Sequence, residues 1–187
     1  MSVRFSRGRL RLVGVLAVTQ VTGWGTTFDM PGVMARHMAP DVGLTIDVSF
    51  FGLTLMMLII GLTGPVIGKA VRRMGAARVL ALGSAASGAG LALLAGAEGP
   101  VGYFFAWVMI GVAGSMALSV PAYAAAVERE GAAGRRTIGV LMIFTGVSST
   151  IFWPILDAID GVAGWRVTLL AMAGLHVLAC LPLHIWA

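Results

Sequence analysis

The spacing of the charged residues constrains the fold of this chain more than any other feature. Lys, Arg, Asp and Glu make up 11% of the 187 residues, and they cluster between six long apolar segments. The apolar core of a bilayer, about 30 Å thick, requires about 20 apolar residues of helix to cross it. The sequence therefore predicts an all-α membrane protein, with one transmembrane domain over residues 1–187 and helices at about 12–31, 48–68, 79–97, 101–127, 137–156 and 164–185.

The composition disfavours other classes of protein. Because 58% of the residues are hydrophobic, a soluble domain would have too few charged groups to cover its surface. Continuous apolar segments also disfavour barrel strands, in which apolar and polar side chains alternate. One cysteine, Cys180, cannot form an internal disulfide or a thiolate metal cluster. We expect neither a metal nor a cofactor.

The basic residues predict how the chain is oriented, because the cytoplasmic loops of membrane proteins are enriched in Lys and Arg. Eleven of the 13 basic residues precede the first helix or lie in two of the connections: Arg4, Arg7, Arg9, Arg11, Lys69, Arg72, Arg73, Arg78, Arg129, Arg135 and Arg136. We therefore expect a multi-pass membrane protein with both termini in the cytoplasm. The lipid bilayer is a sufficient partner for this charge, and we expect no nucleic acid.

Prolines and glycines predict how the helices are connected. The segment from 29 to 47 contains Pro31, Gly32, Pro40 and Gly43, which predict an external loop. A proline follows about 20 residues after the start of the first helix and again of the fourth, at Pro31 and Pro121. This correspondence favours two inverted repeats of three helices.

Two segments carry a resemblance to a known family. The sequence GPVIGKAVRRMGAARVL spans residues 64–80, and STIFWPILDAIDGVAGWR spans residues 149–166. Together with Trp24-Gly25, they resemble the N-terminal six-helix half of a major facilitator superfamily transporter, in the bacterial branch close to the monocarboxylate porters. The family's cytoplasmic loop motif corresponds to Gly68, Arg72, Arg73, Gly75 and Arg78, and Arg72 stands where the family has an acid.

The resemblance implies secondary active transport of a small organic solute, such as an organic anion, with proton coupling. It places the protein in a bacterial cytoplasmic (inner) membrane. It also implies that this six-helix bundle acts with a second six-helix half or as a homodimer. Arg72 in place of the acid favours an alternative, a membrane scaffold or interaction subunit that does not transport.

Polar and aromatic residues recur at helical spacing on the first, fourth and fifth predicted helices, as in the wall of a route for a small polar solute. These candidates are Thr19, Gln20, Thr22, Trp24, Thr26, Thr27, Asp29, Ser115, Ser119, Tyr123, Thr145, Ser148, Ser149 and Trp153. The alternative is packing, because serine and threonine also bond carbonyls one turn back and polar side chains tie helices together. For Asp29 a further alternative is a place among the outer lipid headgroups.

Two residues are candidates for proton coupling. His176 lies near the middle of the sixth predicted helix, where an ionisable side chain is a functional hypothesis. A histidine bonded to a neighbouring hydroxyl is the structural alternative. Asp157, near the outer end of the fifth helix, is the second candidate. The sequence contains no His-Glu-x-x-His pair, phosphate-binding glycine loop or Gly-x-Ser-x-Gly motif, so we expect no enzyme.

Overall fold

The computed structural model describes residues 7–186, except for the side chain of Arg7, and this part of the chain is all-helical, with no strand. Arg4 lies outside the described residues. The α-helices are α1 Arg7–Thr27, α2 Met30–Asp41, α3 Ile46–Ser49, α4 Phe51–Met74, α5 Ala76–Ala95, α6 Gly99–Ala117, α7 Ser119–Glu130, α8 Gly134–Gly146, α9 Ser148–Ala163, α10 Trp165–Leu175 and α11 Leu181–Trp186. A 3₁₀ turn at Gly131–Ala133 joins α7 to α8, and a π-helical segment at His176–Cys180 joins α10 to α11.

Several of these helices are compatible with a membrane helical bundle. By length and composition, four stretches of the described chain are long and apolar enough to cross a membrane: Ile46–Met74, Ala76–Ala95, Gly99–Ala163 and Trp165–Trp186. The third is 65 residues long. As one straight helix it would measure about 98 Å, three times the bilayer core, but α7 and α8 pack against each other across the 3₁₀ turn.

The sequence predicted six membrane helices, and two features explain why only four stretches qualify. Gly99–Ala163 contains two of the predicted helices, 101–127 and 137–156. The first predicted helix is not among the four stretches, because Arg11, Gln20 and its threonines make α1 less apolar than the others.

Residues 30–41 form a helix instead of the loop that the prolines predicted. Pro31 lies in the first turn of α2, where a backbone N–H has no acceptor within the helix, so the lack of an N–H removes no hydrogen bond there. Met30, Met34 and Met38 recur at four-residue steps on one face of α2 and are fully buried. The packing of this face stabilises the helix against the turn preference of the sequence.

Two tight connections depend on glycine. Gly75, between α4 and α5, has φ 84° and ψ 152°, and Gly164, between α9 and α10, has φ 80° and ψ 163°. This region of backbone conformation is open almost only to glycine. Each glycine lets the chain reverse within one residue, so the flanking helices pack as antiparallel neighbours.

Three of the helical stretches are interrupted instead of continuous. We call these interruptions the helix breaks: residues 28–29 between α1 and α2, Leu118 between α6 and α7, and Val147 between α8 and α9. Pro31 and Pro121 cause two of the breaks, because each lacks the N–H that would bond the carbonyl four residues earlier, at Thr27 or Ala117. No proline follows closely after Val147.

Candidate functional site

Residues in or beside the three helix breaks line one open concavity of about 370 Å³, the central concavity. α1 packs against α7, α8 and α9, and this arrangement places the breaks side by side. The first break contributes Trp24, Phe28 and Asp29, and the second contributes Ser119 and Tyr123. The third contributes Met142, Thr145, Gly146, Ser148 and Ser149. Seven of the fourteen pathway candidates therefore line a single site.

Asp29 is the one acidic residue among those that line the central concavity. It lies in the break between α1 and α2, and its Oδ2 accepts a hydrogen bond of 2.6 Å from the hydroxyl of Ser148 at the start of α9. This bond joins the first break to the third. Asp29 is half-buried and belongs to the wall of the concavity.

Gln20 and Trp24 join α1 to the second break. The amide of Gln20 donates a 2.8 Å bond to the carbonyl of Ala117, the group that Pro121 leaves without a helical partner. One turn further along α1, the indole N–H of Trp24 donates to the hydroxyl of Ser119 at 3.3 Å. The carbonyl of Ala117 at the break thus has a hydrogen-bond partner on another helix, as a buried backbone group requires.

Thr19 faces the interior instead of the central concavity. His184 on α11 lies between Thr19 on α1 and Ser84 on α5, with Nε2 3.0 Å from the Thr19 hydroxyl and Nδ1 2.8 Å from the Ser84 hydroxyl. Because Thr19 donates its own proton to the carbonyl of Leu16, it accepts from Nε2–H. Nδ1 then accepts from Ser84, and one tautomer satisfies all three side chains.

Thr26 and His176 form a second interior contact. His176 begins the π-helical segment, and its Nε2 lies 2.8 Å from the hydroxyl of Thr26. Thr26 donates to the carbonyl of Thr22 at 2.7 Å and therefore accepts from Nε2–H. His176 is 2% exposed, and its Nδ1 has no partner in the described part of the chain. His176 lies away from the central concavity.

The remaining residues of the first predicted helix are also interior. Thr22 is buried, and the hydroxyl of buried Thr27 donates to the carbonyl of Gly23 at 2.6 Å. Together with Thr19, Gln20 and Thr26, they follow the packing alternative for their side chains. Of the α1 candidates, Trp24 together with Asp29 beyond its end reaches the central concavity.

Ser115, Trp153 and Asp157 lie elsewhere. Ser115 is buried beside a neighbouring concavity of about 210 Å³ that shares Trp24 and Ser119 with the central one. Trp153 and Asp157 line a third concavity, of about 320 Å³. There Asp157 forms an exposed ion pair of 2.8 Å with Arg36.

Sequence reasoning missed an interaction between α2 and α9 next to that ion pair. His37 Nδ1 lies 2.6 Å from Oδ2 of Asp160, a carboxylate that is almost fully buried. Further along α2, Asp41 accepts a 2.8 Å bond from the indole of Trp165. Acids at 157 and 160, one helical turn apart, and the adjacent residues Arg36 and His37 were the signal for this pairing.

The predicted cytoplasmic loop motif lies at the junction of α4 and α5. Gly68 is inside α4, Arg72 and Arg73 are exposed in its last turn, Gly75 makes the connection, and Arg78 is exposed on α5. A carboxylate reaches this junction from a different helix. Glu128 of α7 accepts a 3.1 Å bond from the backbone N–H of Ala76, the first residue of α5, where a negative charge also complements the helix dipole.

A second cluster, also missed, joins three helices at the same end of the bundle. Arg9 on α1 lies 3.2 Å from Glu130 on α7, and the hydroxyl of Thr137 on α8 donates to Glu130 at 2.7 Å.

Residues 7–186 contain no group of three or more His, Cys, Asp or Glu residues placed to hold a metal ion. Comparison with known proteins adds no family to these observations. No model of a protein family matches the chain, and no curated protein matches it.

Proposed function

We propose that this protein is a secondary active transporter of a small polar organic solute, with the central concavity as its half of the pathway. The observation that carries the proposal is the meeting of three helix breaks at one concavity lined by hydroxyls, aromatic rings and a carboxylate. Transporters commonly bind their substrates where membrane helices are discontinuous, because the interrupted backbone and nearby polar side chains offer hydrogen bonds inside the bilayer.

The chemistry of the lining suits reversible binding. Ser119, Tyr123 and Ser149 carry hydroxyls, which bind polar solutes without the desolvation cost of several fixed charges. The Trp24 and Phe28 rings, 5.5 Å apart and steeply inclined, supply an apolar wall. A weak, orientable site of this kind fits a solute that must be released on the other side.

A partner completes the site in this proposal. The central concavity is open on one side, where Phe28 is 40% exposed and Met142 is 58% exposed. A second six-helix half, or a second copy of this chain, would close it and bury these side chains. The arrangement proposed is the one that the sequence resemblance implies, a six-helix bundle of two inverted repeats in a bacterial inner membrane with both termini in the cytoplasm.

An uptake assay tests the transport function. The chain is reconstituted into lipid vesicles, alone and as a tandem fusion of two copies, and is offered labelled carboxylates, amines and neutral polyols. We expect saturable uptake of one class. Thr145→Val removes a hydroxyl from the lining and should weaken transport by about three- to tenfold, the worth of one hydrogen bond.

Thr54→Val is the matched control, because Thr54 is an exposed threonine on α4 outside the concavity. Uptake by this variant should equal that of the wild-type protein. The proposal fails if no class of solute accumulates above protein-free vesicles in either format.

A non-transporting scaffold is the second candidate, and the interior contacts of α1 favour it. Thr19, Gln20 and Thr26 bond α11, α6 and the π-helical segment and leave few polar groups for a solute. A scaffold would copurify with a stable partner in a fixed ratio, and no solute would raise its melting temperature. Saturable uptake in the vesicle assay would eliminate this candidate.

A further inference from the structure

We infer that the solute of the central concavity is an organic cation, an amine bound as its ammonium form between Asp29 and the aromatic rings of α1. The inference rests on the proposed transport function and names its substrate class. It differs from the organic anion that the sequence resemblance implies.

The charge of the lining carries the first step. The described residues that line the central concavity include one carboxylate, Asp29, and no Lys, Arg or His. A bound anion would therefore meet a like charge in surroundings of low dielectric, where repulsion is strongest. A bound ammonium would meet an opposite charge there, and hydrogen bonds between ions are about twice as strong as neutral ones.

The geometry of Asp29 carries the second step. Ser148 donates to Oδ2 and fixes the orientation of the carboxylate. No other described group donates to Oδ1, which is free for a ligand. The carboxylate is thus pre-oriented and only partly satisfied, as a binding site for an ammonium donor requires.

The aromatic residues carry the third step. Trp24 and Phe28 lie one turn apart on the same side of the concavity, with their rings in an edge-to-face arrangement. Tyr123 adds a third ring from α7. Aromatic faces attract cations, and rings grouped around a carboxylate are the usual way in which proteins recognise ammonium groups.

The basic groups on α2 do not offset this charge. Arg36 pairs with Asp157, and His37 contacts Asp160; both contacts lie away from the lining of the central concavity. The site therefore presents a net negative charge to a solute.

Three probes of one shape test the inference. Benzylamine, benzyl alcohol and benzoate share a ring and differ in charge, and their binding to the purified chain in lipid nanodiscs is measured by calorimetry at neutral pH. We expect benzylamine to bind at least about tenfold more tightly than benzyl alcohol, the effect of one hydrogen bond to a charged group. Benzoate should bind most weakly.

Asp29→Asn should abolish the preference for benzylamine, and Asp29→Glu should retain it. Asp47→Asn is the control, because Asp47 is an exposed acid on α3 outside the concavity. If the asparagine variant does not fold, the order of the three probes on the wild-type chain still decides.

The inference is overturned if benzoate binds best, if the preference for benzylamine survives in Asp29→Asn, or if none of the probes binds. If one of these outcomes is accompanied by saturable vesicle uptake of a carboxylate or a polyol, the proposed transport function holds. Only the inference that the solute is an organic cation is then rejected. Absence of all uptake would reject both.

Discussion

Polar side chains of α1 and its neighbours fall into two regions that differ in how their hydrogen bonds are used. The sealed network consists of Thr19, Gln20, Thr26, Ser84, His176 and His184, all buried between helices. The second region is the central concavity, where Asp29 keeps one oxygen free and Thr145 bonds only a carbonyl of its own helix. The residue types are similar, so the difference comes from which helices surround them.

The contrast separates stability from binding. In the sealed network Gln20, His176 and His184 bond groups on other helices, and removing one of these side chains leaves its partner with one hydrogen bond fewer in apolar surroundings. In the central concavity Thr145 bonds only its own helix, so its substitution leaves no group on another helix without a partner. We therefore expect substitutions in the first region to affect unfolding and those in the second to affect ligands.

The largest effect is expected for Gln20→Leu. This change keeps most of the side-chain volume but leaves the carbonyl of Ala117, already deprived of a partner by Pro121, without its 2.8 Å bond. The free energy of unfolding should fall by about 1–3 kcal/mol, the cost of one buried unsatisfied group. Unfolding by SDS in mixed micelles, followed by tryptophan fluorescence, measures it.

Thr145→Val provides the control in the second region, and it should change stability by less than about 0.5 kcal/mol. Equal losses of stability in the two variants would remove the distinction between the sealed network and the central concavity.

An intermediate effect is expected for His184→Phe. Phenylalanine keeps a ring between α1 and α5 but loses the bonds to Thr19 and Ser84. Thr19 already donates to the carbonyl of Leu16, and the Ser84 hydroxyl can turn to a carbonyl of its own helix, so the loss should be about 1–2 kcal/mol.

A double-mutant cycle with Ser84→Ala isolates the bond between Ser84 and His184, and we expect a coupling energy of about 0.5–1.5 kcal/mol. Purely additive losses would show that the ring acts by packing alone.

The smallest effects are expected for two acids on α9 that contact α2. They test whether burial also decides the strength of polar contacts in that part of the bundle. Asp157 pairs with Arg36 and Asp160 contacts His37, both on α2, but the Asp157 side chain is 62% exposed and that of Asp160 is 1% exposed. Asp157→Ala should cost at most about 0.5 kcal/mol, as is usual for an exposed pair. Asp160→Ala should cost about 1 kcal/mol because His37 loses a buried acceptor.

The same unfolding assay in mixed micelles compares the two variants with the wild-type protein. A larger loss for Asp157 than for Asp160 would mean that burial does not decide the strength of polar contacts in this bundle.

The sequence predicted the all-helical fold because long apolar segments leave the backbone no other way to satisfy its hydrogen bonds in apolar surroundings. Pro31 and Pro121 were interpreted as a sign of repeats, and one continuous helix was predicted over 101–127, so the sequence did not predict the helix breaks. The break at Val147 has no proline to indicate it. The α2 helix was expected to be a loop, because the burial of Met34 and Met38 depends on neighbours that the local sequence does not reveal.

For the site, helical spacing grouped the polar residues by predicted helix, but the structure divides two of these groups, between α6 and α7 and between α8 and α9. The spacing also did not show which side chains face the central concavity. Thr26 and Asp29 lie on one face of an ideal helix, yet the first contacts His176 and the second contacts Ser148. The break at residues 28–29 alters the direction of the chain between them, so periodicity calculated across it does not hold.

The sequence by itself thus determined that the chain forms long apolar helices, since this follows from its hydropathy and from the need of the backbone for internal hydrogen bonds in apolar surroundings. Only the tertiary structure decided that three breaks meet at one concavity, and that Gln20 and His184 stabilise the interior while Asp29 faces open space. Those outcomes depend on which helices lie side by side, and contacts between residues about a hundred positions apart, such as Gln20 and Ala117, leave no local pattern.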